Sequence, residues 1–242
     1  MNAHPGSISG APRHRVPGAW SAAWTLAGVT LVRLRRGKAL WLCAVIAALP
    51  VGFGAVMHAR NATPFYNDMF VVWRLILALL SAMLVASSIG EDIEDRTGTY
   101  LWSRPIARWA VMAGKLIALT PIVIALVVAS WYATIQVWTS SGPTVISCIG
   151  LATGAAAGCV IAAAISTVVP KHAMALTIGY MLVDNFIAPW PFSLRELTLA
   201  HQTTALAGIA DDAAIATPLI ALAAIAGVWA AIGLVRIRKL EV

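Results

Sequence analysis

"GEDIEDRTGTYLWSRPIARWAVMAGK", residues 90–115, sets four carboxylates (Glu91, Asp92, Glu94, Asp95) and a row of arginines between two long apolar runs. The chain around it has 242 residues, of which 60% are hydrophobic and only 11% charged. Ordinary soluble domains carry about 25% charged residues. The composition is that of a membrane protein, and its densest charge cluster marks a place where the chain leaves the apolar phase.

Outward from this stretch, the apolar runs sort by length. A helix crossing the hydrocarbon layer needs about 20 mostly apolar residues, within roughly 17–25. Six stretches meet or approach this: 39–57, 69–89, 116–138, 145–169, 173–187 and 214–235. The fifth is short and carries Asp184. Lys and Arg are unevenly shared among the connections. Alternate segments hold fourteen (Arg13, Arg15, Arg33, Arg35, Arg36, Lys38, Arg96, Arg104, Arg108, Lys115, Lys171, Arg236, Arg238, Lys239) and three (Arg60, Arg74, Arg195) of the seventeen basic residues. Basic residues collect on the cytoplasmic side. The expectation is an all-α integral membrane protein with six transmembrane helices and both termini in the cytoplasm. The quoted stretch is then its second connection, also cytoplasmic. Trp41, Trp102 and Trp109 fall at the inner boundary of this register, and Trp73, Trp138 and Trp190 at the outer one, as aromatic belts do. Trp131 and Trp229 lie deeper, as packing residues.

Residues 1–17 are polar and rich in Pro, Gly and Ser, and are expected to form a disordered cytoplasmic tail. They lack the pattern of a cleavable signal peptide, so the first span is expected to direct insertion. Residues 18–242 read as a single membrane domain. In residues 18–37, Trp20, Trp24, Ala27, Leu31 and Leu34 recur at helical spacing. That predicts an amphipathic helix lying in the inner interface, with its arginines at the lipid headgroups. The net charge of +7 is spread over the ends of apolar spans, which argues against a nucleic-acid partner. Cys43, Cys148 and Cys159 lie inside apolar spans and read as small buried residues without disulfides.

Gly150, Gly154 and Gly158 form a small-residue stripe continued by Ala162. Such a stripe lets two helix backbones approach closely, with a partner in the same chain or in another copy. Residues 188–213 are half apolar and broken by Pro189 and Pro191. They are expected to form a broken outer hairpin dipping partway into the outer leaflet, where irregular backbone must be buried in protein or line a cavity.

Within the charged stretch, Pro105 suits the first turn of a short helix, with Ser103 as a plausible N-cap. The order Glu94, Arg96, Thr97, Thr99, Tyr100, Leu101, Arg104, Pro105, Ile106, Arg108, Gly114, Lys115 resembles the cytoplasmic loop of membrane subunits of type-2 ATP-binding cassette (ABC) exporters. The resemblance covers about 25 residues at the level of a motif, and Gly98 departs from the commoner spacing. It implies that residues 91–108 form a coupling loop. Ser103–Arg108 would be a coupling helix docked on a separate ATPase subunit, and Glu91, Asp92, Glu94, Arg96 and Thr97 would stand at the base of the second span. Apolar anchors such as Tyr100, Leu101, Trp102 and Ile106 would have to carry much of that docking, because surface ion pairs contribute only about 0–1 kcal/mol each. The resemblance further implies ATP and Mg on the partner subunit and none on this chain. It also implies a second permease copy or a related permease, and a hydrophobic or amphipathic substrate (drug, peptide, lipid or glycan). Abundant Ala and Gly suggest a bacterial inner (plasma) membrane.

Other chemistries find little support. The chain has no GxxxxGK[ST] loop to hold ATP. Its five histidines are scattered, with no HExxH pair. The acidic run "EDIED" lacks the second group of ligands that would fix a cation, so no metal is expected. Two charges approach the membrane interior, Arg74 and Asp184, and charges there are functional candidates. With Asn185 they are candidates for a substrate pathway or outer gate, and an Arg74–Asp184 pair is geometrically feasible. They also leave open a proton-coupled secondary transporter. A non-transporting membrane scaffold is the third reading.

Overall fold

The computed structural model describes residues 18–61, 66–94, 108–139, 142–208 and 215–239. Among them, all regular structure is helical. The elements are α1 (Ala19–Arg36), α2 (Ala39–Ala59), α3 (Tyr66–Ser81), a π-turn (Ala82–Ala86) that runs into α4 (Ser87–Glu94), α5 (Arg108–Thr139), α6 (Val145–Val168), α7 (Ala173–Ile187), α8 (Leu199–Leu206) and α9 (Ala216–Lys239). Short 3₁₀ turns at Pro170–His172 and Ser193–Leu197 flank α7.

Five helices are long and apolar enough to cross a membrane: Ala39–Ala59, Met69–Ile93, Trp109–Thr139, Val145–Val168 and Ala216–Arg238. They correspond to five of the six apolar runs. The remaining run, the fifth (173–187), is a helix over those same residues, but only 15 residues long. At 1.5 Å per residue it covers ~22 Å, short of a hydrocarbon layer of about 30 Å. The chain then turns back through the 3₁₀ turn into α8.

Burial ranks the helices. Two-thirds (67%) of the most apolar window of Val145–Val168 and of Met69–Ile93 is buried, against 22% for Ala39–Ala59 and 17% for Ala216–Arg238. The second and fourth long helices are therefore central, while α2 and α9 turn apolar faces outward. Such a surface on a helix bundle is what lipid or another apolar partner covers. An aromatic cluster anchors the centre. Trp131 of α5 meets Trp73 and Phe70 of α3 edge-on, at centroid distances of 4.9 and 5.5 Å. The indole N–H of Trp73 donates to Ser130 Oγ (3.3 Å) and that of Trp131 to Ser147 Oγ (2.9 Å). Trp73 and Trp138, expected at the outer boundary, are buried against neighbouring helices, at 0% and 3% exposure. For Trp73 the reason is a hydroxyl within reach, which lets a tryptophan bury its polar N–H. Trp131 is a packing residue, and Trp190 stays exposed.

The helix α1 is also split differently from its sequence pattern. Ala22, Ala23 and Ala27 are buried against α5, and Gly114 of α5 lies so close that a Cβ there would sit 2.6 Å from the Ala23 carbonyl oxygen. Leu34 packs on the core with them, whereas Trp20, Trp24, Leu31 and Val32 face outward. The alanines can approach a neighbouring backbone, and the bulkier residues are left on the adjacent strip. Trp20 makes an edge-on contact of 5.4 Å with Trp109.

Candidate functional site

Two groups of polar side chains stand out from this apolar framework, one at each end of the second long helix. The first lies where the charged stretch begins. Helix α4 carries Glu91 and Asp92 as the direct continuation of that helix. Lys115, the eighth residue of α5, is 5% exposed. Its ammonium donates to Asp92 Oδ2 at 2.5 Å and to the Ser88 carbonyl oxygen. Arg33, in the last turn of α1, reaches the same carboxylate through Nη1 at 3.3 Å and approaches Glu91 Oε2 at 3.9 Å. One carboxylate thus ties three elements together: the N-terminal helix α1, the end of the second long helix, and the start of α5.

The burial of the two cations decides their weight. The Arg33 side chain is 69% exposed, and such a pair contributes about 0–1 kcal/mol. Lys115 is enclosed, and a buried charge without its partner is costly. The Lys115–Asp92 pair is therefore the one that sets geometry.

Of the residues that the resemblance assigns to the coupling loop, Glu91 and Asp92 are placed here. Arg96, Thr97, Tyr100, Trp102, Ser103, Arg104, Pro105 and Ile106 lie outside the described residues, as do the side chains of Glu94 and Arg108. The helices on both sides are described, so the two stems of the loop, α4 and the first turns of α5, are known to be joined by Lys115.

The second group is at the other end of α3. Asp184 of α7 accepts the backbone N–H groups of Leu199 (2.9 Å, Oδ1) and Ala200 (2.7 Å, Oδ2). These are the first two residues of α8, whose early N–H groups have no partner within their own helix. A carboxylate there also complements the positive end of the helix dipole. Thr198 caps the same helix by accepting the His201 N–H at 3.2 Å. Arg74 of α3 donates through Nη1 to the Ala200 carbonyl oxygen (3.0 Å) and to Thr204 Oγ1 (2.9 Å). Arg74 and Asp184 thus do not form the direct ion pair that sequence allowed; the backbone of α8 stands between them. Asp184 is 5% exposed, so it does not snorkel to water either. Asn185 donates to the Met181 carbonyl oxygen at 2.9 Å. Arg74 Nε and Asn185 Oδ1 are buried without a hydrogen-bond partner.

The glycine stripe completes this end. A Cβ at Gly150 would sit 2.8 Å from the Ala207 nitrogen, one at Gly154 2.5 Å from Thr203 Oγ1, and one at Gly158 2.9 Å from Leu77 Cδ2. Gly150 and Gly154 receive α8 and the residue that follows it. The partner of the stripe is in the same chain: a short helix pressed sideways into the groove on α6. Nothing in the hydropathy of residues 188–213 distinguishes this arrangement. The usable signal was the pair of turn residues, Pro189 and Pro191, with the cap residue Thr198 after them.

The importance of Lys115 and Arg33 was not legible without the fold, since each is one of several basic residues near a span end. Comparison with models of known protein families finds no match to this chain, and comparison with curated proteins finds none either.

Proposed function

We propose that this chain is the transmembrane subunit of an ATP-driven exporter of the ABC type, with six membrane crossings, both termini in the cytoplasm and α1 lying in the inner interface. The shorter α7 and the returning α8 together make up the fifth crossing and the outer hairpin. A separate ATPase subunit, holding ATP and Mg, docks under residues 95–108. A second permease copy or a related one completes the pathway in the inner membrane of a bacterium, and the cargo is hydrophobic or amphipathic.

The observation that supports this reading best is the joining of the two loop stems. A loop that passes force from a soluble engine into a helix bundle needs both stems held by the bundle, and the Lys115–Asp92 pair does this at 2.5 Å. Arg33 extends the connection to α1. The motif in residues 94–115 supplies the partner class. Proton coupling through Asp184 is the weaker reading, because both of its oxygens already accept backbone N–H groups.

The test is affinity purification of the native membrane complex, with an ATPase assay on wild type and on the Arg104→Glu, Arg108→Glu double variant. An ATPase subunit that copurifies with wild type, and is released or uncoupled by the charge reversals, upholds the reading. Absence of any ATPase, with the double variant retaining its cellular task, overturns it.

A further inference from the structure

We infer that Lys115 is a positioning residue: it holds α4, the last two turns of the second long helix, and α4 swings about the π-turn Ala82–Ala86 when that hold is released. The inference rests on the exporter reading for its purpose, which is to set where the coupling loop stands. Its geometry stands on independent observations.

The first is the π-turn itself. The N–H of Ser87 donates to the Ala82 carbonyl oxygen, five residues back. A π-turn interrupts the regular i→i−4 ladder and is a recognised place for a helix to change direction. Ser87 Oγ donates to the Met83 carbonyl oxygen within the same stretch. The hydroxyl of Ser166 on α6 lies 2.6 Å from the Ala162 carbonyl oxygen and 3.2 Å from that of Ala86. It has one proton for two acceptors, so the π-turn can exchange a bond with α6 as it flexes.

The second is the contrast on either side of the turn. Before it, Phe70, Trp73, Leu77 and Leu80 are buried in the core. After it, α4 borders two clefts. One, of about 160 Å³, opens between Thr30, Leu34, Ser87, Ser88, Glu91 and Leu119. The other, of about 430 Å³, opens towards Lys171, His172 and Met174. Ile89 of α4 stays buried in the core, so the clefts leave room beside Ser87, Ser88 and Glu91, and motion of α4 is confined to the sides with space.

The third is the tie itself. Among the described residues, the side-chain bonds from other helices to α4 come from Lys115 and Arg33. Arg33 is too exposed to hold α4 alone. Lys115 reaches both Ser88 and Asp92, one turn apart on one face of α4, which is the spacing that fixes a helix in rotation as well as position.

The test is backbone hydrogen exchange on the full chain in lipid nanodiscs, comparing wild type with Lys115→Met and with Asp92→Asn. The expected result is exchange about tenfold faster or more in Ser87–Glu94, with Tyr66–Ser81 unchanged, so that the boundary falls at the π-turn. A residue of merely structural importance would loosen both halves. Uniform acceleration through both halves, or no change in either variant, overturns the inference. Asp92→Asn keeps the side-chain volume and decides the matter if Lys115→Met does not fold. The exchange boundary without a copurifying ATPase would uphold the lever and remove the exporter reading. A copurifying ATPase without the boundary would do the reverse.

Discussion

Arg74 and Asp184 bind opposite ends of the same residue. Asp184 Oδ2 accepts the Ala200 N–H at 2.7 Å, and Arg74 Nη1 donates to the Ala200 carbonyl at 3.0 Å. Two charges that could have neutralised each other directly are used instead to hold a short helix between α3 and α7. The favourable energy of the pair is thereby spread over backbone groups of α8, of which the Leu199 and Ala200 N–H groups would otherwise be buried without partners.

Replacing Asp184 by Ala strands two buried N–H groups and leaves Arg74 without a nearby anion. Each unsatisfied buried donor costs about 1–3 kcal/mol. The expected loss is at least about 2 kcal/mol, which for a chain of this size lowers Tm by roughly 4–8 °C. Asp184→Asn retains one acceptor oxygen and is expected to lose about half as much. Thermal unfolding in detergent micelles, followed by circular dichroism, checks the order wild type, Asn, Ala.

The glycine stripe separates two otherwise similar substitutions. At Gly150 a methyl group would meet the backbone of Ala207 at 2.8 Å, whereas at Gly179 it would meet nothing within 4 Å. Gly150→Ala is expected to destabilise by about 1–3 kcal/mol, because α8 must move. Gly179→Ala is expected to be neutral or to stabilise by up to about 1 kcal/mol, since it lies inside a helix. The same unfolding measurement on both variants reads the difference.

The two cations on Asp92 are predicted to behave unequally. Arg33→Ala removes an exposed pair and is expected to change stability by less than about 1 kcal/mol. Lys115→Ala leaves the Ser88 carbonyl without its cation and Asp92 with Arg33 alone, and is expected to cost about 1–3 kcal/mol. Near-equal losses from the two substitutions would contradict the ranking by burial.

Topology is checked by labelling. With Cys43, Cys148 and Cys159 replaced, Ser103→Cys is expected to react with an impermeant maleimide only in inside-out vesicles. Ser140→Cys, between α5 and α6 in the sequence, is expected to react only from the outside. The reverse pattern would invert the orientation that the basic residues imply.

Much of the helical framework was legible in advance because the membrane makes it so. A long apolar run in a lipid phase has few conformations besides the helix, and hydropathy finds such runs directly. Five runs matched helices within a few residues, as 145–169 did with Val145–Val168. The partners of Asp184 were not legible. They lie 15 and 16 residues away, beyond a proline-broken turn whose return path no periodicity describes. The inner face of α1 was misjudged for a related reason. A pattern of apolar residues says that a face exists, but side-chain size decides which strip can press against a neighbouring backbone.

The amino-acid sequence by itself determined the class of molecule: apolar helices, a charged stretch between the second and third of them, and a small-residue stripe on α6; the proposed partner class rests on a motif in that stretch. These are local properties, set by composition and by spacing along one helix. Only the tertiary structure decided that α8 fills the stripe, that Arg74 and Asp184 share Ala200, that Lys115 binds α4, and that the second long helix changes its hydrogen-bond pattern at Ala82–Ala86. Each of these depends on which backbone groups meet across helices. The energies that choose among such meetings, a hydrogen bond here or a close contact there, are summed over residues far apart in the chain, and no single segment contains them.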